Sequence, residues 1–155
     1  MRVKRMVTTL AAVTAVVAGT ASAATPAAHL SIVIRHQVRG CHSWSIDGGA
    51  WKAQQSAALR VGGWLTVANN DVMPHQLVKT SGPAVKIETL KTPMAGMGLR
   101  GTFGPSMMAH MGATVKITFA HAGVYRFTTK AGEDYMPGMK TIGEDNVLRL
   151  TVTVR

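Results

Sequence analysis

Asn69-Asn70-Asp71-Val72-Met73-Pro74-His75-Gln76-Leu77-Val78 is the stretch that decides how this chain folds. It leaves Trp64–Ala68, whose alternating β-branched and apolar residues spell a strand, and runs into Gln76–Thr80, which spells another. Between them the Asn-Asn-Asp run favours a turn, because short polar side chains bond to their own nearby backbone. Pro74 fixes its own φ and removes a backbone donor, so a helix cannot pass through here. His75 therefore opens a strand, where a rigid backbone sets the direction of its ring. A neutral imidazole so placed is a good transition-metal ligand. A lone histidine is also a common structural residue.

The same period-two pattern extends outward. His29–Arg35 reads as a first strand, and residues 36–56 as a long polar loop carrying Cys41, His42, Trp44 and Trp51. Residues 57–69 form a second strand region, with a turn or bulge expected at Gly62-Gly63. Gln76–Thr80 is the third strand, ended by Ser81-Gly82-Pro83, and Val85–Leu90 the fourth. Residues 91–112 are rich in Gly, Met and Pro and spell no regular element. Ala113–Ala120 is a strand; Ala122-Gly123 is expected to turn it into Val124–Thr129 as a hairpin. A Gly-rich acidic loop covers 130–146, and Val147–Val154 closes the chain as a strand. About seven short strands without a helix point to an all-β sandwich.

The chain has 155 residues. Arg2, Lys4 and Arg5, the apolar run Met6–Ala18 and Ala21-Ser22-Ala23 have the order of a cleaved export signal. The apolar run is too short for a membrane span, which needs about 20 residues. We therefore expect a signal peptide over 1–23 and one mature domain over 24–155, secreted or held in the periplasm or cell envelope, without stable membrane insertion after cleavage. Removing the leader's three basic residues leaves 14 Lys and Arg against 7 Asp and Glu, a net charge of +7. The basic residues are scattered: a solvated surface, or a face for an anionic envelope polymer or an acidic redox partner. Nucleic acid is not expected as a partner. Cys41 is the one cysteine, so no internal disulfide forms. Such a thiol in an exported chain pairs between molecules, reacts, or ligates metal.

The Asn-Asp-x-x-Pro-His run between two strands resembles the first histidine motif of the cupredoxins. Gly123-Val124-Tyr125-Arg126-Phe127 is similar to the penultimate strand of that family, which ends at the copper cysteine. The resemblance covers about residues 57–155 and more weakly 29–35. It implies a Greek-key antiparallel β-sandwich of cupredoxin-like class, with His75 as a copper ligand. Thr129 stands where the family has its cysteine, and no histidine follows His121. The usual methionine would be represented by Met136 or Met139.

A blue-copper centre takes two His, one Cys and a weak axial ligand such as Met. In a cupredoxin sandwich the loop after the first strand lies at the copper end, so the resemblance lets Cys41 and His42 stand in for the missing thiolate and imidazole. The expected metal set is Cys41, His42, His75, Glu133 and Met136, with copper as the cofactor. Each has a bland reading too: Cys41 as a buried free thiol, His42 as a mere neighbour, Glu133 as a turn former. Met107, Met108, His110 and Met111 are expected at the same end. Eight of the ten methionines lie between Met73 and Met139, either filling an irregular core or offering thioethers to Cu(I).

The function expected is copper binding outside the cytoplasm, in electron transfer or in copper storage and delivery, with a redox or copper-accepting protein as partner. Enzymatic activity is not expected, because the chain has one domain and no His-x-His pair. The alternative is a metal-free sandwich acting as an envelope or adhesion module.

Overall fold

The computed structural model describes residues 25–36, 42–92, 104–130 and 148–155. The described residues form nine strands and no helix: β1 Ala27–His36, β2 His42–Ile46, β3 Gln54–Asn69, β4 His75–Ser81, β5 Lys86–Lys91, β6 Met107–Met108, β7 Thr114–Thr118, β8 Gly123–Lys130 and β9 Arg149–Val154. The expected leader over 1–23 lies outside the described residues.

Strand β3 belongs to both layers of the sandwich. Its first part, 54–59, pairs with β9, and its second, 64–69, pairs with β1 and β7. The change happens at Gly62-Gly63. Gly62 has φ +77°, and a Cβ on Gly63 would lie 2.8 Å from the Arg60 carbonyl oxygen and 2.9 Å from that of Ala28. Only glycine fits both requirements. One layer is then β2-β1-β3-β7-β5 and the other β3-β9-β8-β4-β6.

The expected all-β sandwich holds, with one correction: pairing is mixed, not wholly antiparallel. β1 runs parallel to β3, and so does β9. The reason is β2, which forms an antiparallel hairpin with β1 and carries the chain back, so that the second half of β3 repeats the direction of β1. This strand lies inside the stretch expected to be a loop. Ser43, Trp44 and Ser45 are all buried, so no alternation announces it. The Asp47-Gly48 turn was its one local signal: Asp47 (φ +47°) and Gly48 (φ +72°) are both left-handed.

The expected hairpin between residues 113–120 and 124–129 does not form. β7 pairs with β3 and β5, whereas β8 pairs with β4 and β9. The link between them crosses the sandwich. Phe119 is driven into the core, where its ring meets Tyr125 edge-on at 4.9 Å and Phe127 at 6.2 Å. Tyr125 Oη closes the corner by donating to the His121 carbonyl at 2.6 Å. Burial of three rings outweighs the local turn, since each such ring buries about 150–250 Å². Ile32, Ile34, Trp44, Leu65, Val67, Val115 and Ile117 from one layer meet Leu77, Tyr125, Phe127, Leu150 and Val152 from the other.

Candidate metal centre

One end of the sandwich gathers the chemistry-bearing segments. β1 ends at His36, β3 at Asn69 and β8 at Lys130, while β4 starts at His75 and β7 at Thr114. Backbone bonds tie these ends together. Asn70 N–H donates to the Ile34 carbonyl at 2.8 Å, and Gly112 N–H to that of Asn69 at 2.6 Å. His75 is paired with Met108, and Leu77 with Thr129.

Asn69 is the keystone of this end. It is fully buried. Its Nδ2 donates to the carbonyls of Met73 (2.8 Å), Met108 (3.2 Å) and His110 (3.4 Å), and its Oδ1 accepts the N–H of Asp71 at 2.9 Å. One side chain thus fixes the turn before β4 against the loop that carries His110.

Asp71 and His75 lie at 1% and 0% exposure. Asp71 Oδ1 accepts the Met73 N–H at 3.1 Å, and its Oδ2 lies 3.3 Å from His75 Nε2. With Asp71 ionised, that contact is a hydrogen bond only when Nε2 carries the proton. The neutral ring then has its lone pair on Nδ1. A carboxylate fixing the far nitrogen of a histidine is the usual outer support of a metal-bound imidazole. The contact with Asp71 thus fixes the orientation of the His75 ring.

The structure also supplies a residue whose role the sequence left open. His110 Nδ1 is buried and has no hydrogen-bond partner among the described residues. Its backbone is pinned by Asn69 and by the N–H of Ala113 at 3.0 Å. Two imidazoles thus lie on segments joined at this end. Met111 is 47% exposed beside a cavity of about 310 Å³, which Asp71, Met73 and His36 also line. Met108 is fully buried in the core, so packing explains it. Imidazole and thioether are donors that copper accepts, so the residues present fit that metal.

Of the expected ligands, His75 opens β4 at this end. His42 starts β2 opposite His36, at the same end. Cys41, Glu133 and Met136 lie outside the described residues, as does Met139. Among the described residues no group of three or more His, Cys, Asp and Glu gathers as a metal cage. Thr129 is buried at the end of β8, and its Oγ1 has no hydrogen-bond partner among the described residues. Thr129 and Cys41 are separate positions, and β1, whose end leads toward Cys41, finishes at the same pole as Thr129.

No family model and no curated protein matches the sequence. Solved structures do resemble the fold. A reduced amicyanin variant is 21% identical, covering 81% of this chain and 82% of its own, with a TM-score of 0.38. A purple cupredoxin from Nitrosopumilus maritimus is 19% identical over 79% of this chain and 98% of its own, TM-score 0.37. The cysteine protease inhibitor EhICP2 from Entamoeba histolytica is 6% identical over 82% of this chain and 97% of its own, TM-score 0.42. At these values the likeness is one of all-β architecture and assigns neither ligand nor partner.

Proposed function

We propose that this chain is a copper-binding protein of cupredoxin-like fold, exported from the cytoplasm, that works in electron transfer or in copper storage and delivery and is not an enzyme. The observation that carries the reading is the buried Asp71–His75 pair, which presents an oriented imidazole where five strand ends meet. When bound, copper would supply a one-electron couple. The chain's own residues hold and shield it. His75 is the first ligand and Cys41 the thiolate. His42, His110, Met136 and Glu133 are the candidates for the remaining positions. Asp71 is a positioning residue, fixing the orientation of His75 without touching the metal.

The test is the metal content and absorption spectrum of protein purified without chelator. About one copper per chain is expected, with a thiolate charge-transfer band if Cu(II) is bound. Cys41→Ser should abolish that band, and His75→Ala should sharply lower affinity. Unchanged copper stoichiometry in both variants would leave the metal-free sandwich as the better reading. Export is tested separately: the N-terminus of the exported product should lie near Ala24, and an intact Met1 on a membrane-embedded product would refute cleavage.

A further inference from the structure

A cavity lies on the outer face of the second layer, on the side of that sheet opposite the core. It measures about 430 Å³ and is floored by β3, β9, β8 and β4. Alternation decides what faces it. Tyr125, Phe127, Leu150 and Val152 point into the core, so Arg126 and Thr128 on β8 and Arg149 and Thr151 on β9 point outward. Thr128 sits opposite Arg149, and Arg126 opposite Thr151. The two arginines are therefore diagonal neighbours on adjacent strands, roughly 7–8 Å apart at the backbone.

Like charges on neighbouring cross-strand positions are destabilising, and an anion bound between them relieves that repulsion. None of the lining residues is acidic. The nearest polar contact of Arg126 Nη1 is the neutral Ser81 Oγ, at 3.5 Å. Thr128 stands opposite Arg149 in this floor; its hydroxyl is itself covered and has no hydrogen-bond partner among the described residues. Around them stand the amide of Gln54 and the hydroxyls of Ser56 and Thr151.

We propose that this cavity is a binding site for a phosphate group, free or carried on a polyhydroxylated chain. Two guanidinium groups on adjacent strands, with the hydroxyls of Ser56, Thr80 and Thr151 lining the same space, supply enough donors for the several oxygens of a tetrahedral oxyanion. A flat carboxylate with two oxygens would satisfy fewer of them. The remaining lining of amides and hydroxyls, in a space larger than one phosphate, suits the sugar or polyol that carries such a group. The site differs from the candidate metal centre in its residues, since none of its lining residues is among the expected copper ligands.

The experiment is a titration of the protein with inorganic phosphate at constant ionic strength, followed by backbone amide NMR. Saturable shifts are expected at Arg126, Thr128 and Arg149. Arg126→Gln and Arg149→Gln should each weaken binding about tenfold, the factor expected when a charge-assisted hydrogen bond is lost. Arg60→Gln, an equal loss of charge elsewhere on the surface, should change it less than twofold. A second arm uses poly(glycerol phosphate). Tighter binding than inorganic phosphate, lost in the same two variants, identifies the polymer as the source; equal or weaker binding identifies the free anion. Absence of saturable shifts in both arms, or an Arg60→Gln effect as large as the others, overturns the site.

Discussion

Replacing Asn69 by alanine tests the keystone of the metal pole directly. The side chain makes two short hydrogen bonds, to Met73 O at 2.8 Å and from Asp71 N at 2.9 Å, and two longer ones to the Met108 and His110 carbonyls. All four are lost at a fully buried position. Each buried polar group stripped of its partner costs about 1–3 kcal/mol. The two short bonds carry most of the effect, so the expected loss is about 3–4 kcal/mol. For a domain of this size that corresponds to a fall in Tm of about 12 °C. Thermal unfolding by circular dichroism reads it, and copper titration of the same variant should show weakened binding, because the Asp71–His75 turn and the His110 loop are no longer fixed to each other. Asn69→Asp sharpens the test. It keeps the size and the acceptor for Asp71 N–H but aims a carboxylate at three carbonyl oxygens, so at neutral pH it should be at least as unstable as the alanine variant. A fall of less than about 4 °C for alanine, or wild-type stability for aspartate, would refute the donor role.

Thr129→Val removes a buried hydroxyl that has no hydrogen-bond partner among the described residues while keeping the shape; it should stabilise the fold by about 1 kcal/mol in chemical denaturation and leave copper stoichiometry unchanged. A loss of stability would mean that the hydroxyl is satisfied after all. Gly82→Ala places a Cβ 2.7 Å from the Val124 carbonyl oxygen at a residue with φ +99°, and steric overlap with left-handed strain should lower stability by about 2–4 kcal/mol, read as a shifted urea midpoint. Glu88 is held below its ordinary value of 4.5 chiefly by its hydrogen bond from Lys86; desolvation opposes this, and the charges of Lys86 and then Lys116 add smaller downward pulls. Its contribution is thus present above pH 4.5 and fades as pH falls through the lowered value. Lys86→Gln should move the Glu88 carboxyl titration upward by NMR, and an unmoved midpoint would contradict the pairing.

The sequence by itself determined most strands and the placing of His75 at a strand end. Alternation is a local property, so strands such as β1, β8 and β9 can be read from their own residues. The Asn-Asp-x-x-Pro-His run is local too: turn chemistry, proline and strand onset lie within a few residues, and together they set His75 at a strand end. The break at Gly62-Gly63 was legible because only glycine tolerates what the backbone does there. Tertiary structure alone decided which strands pair. β7 and β8 adjoin in sequence yet lie in different layers, because burying Phe119 against Tyr125 and Phe127 outweighs a short turn. β2 was hidden because Trp44 is buried between two buried serines, a pattern without period. The contact of His75 with Asp71, the His110 nitrogen without a partner among the described residues and the diagonal of Arg126 and Arg149 belong to the same class. Each depends on register or contact between residues distant in the chain, and local residue order does not encode such distances.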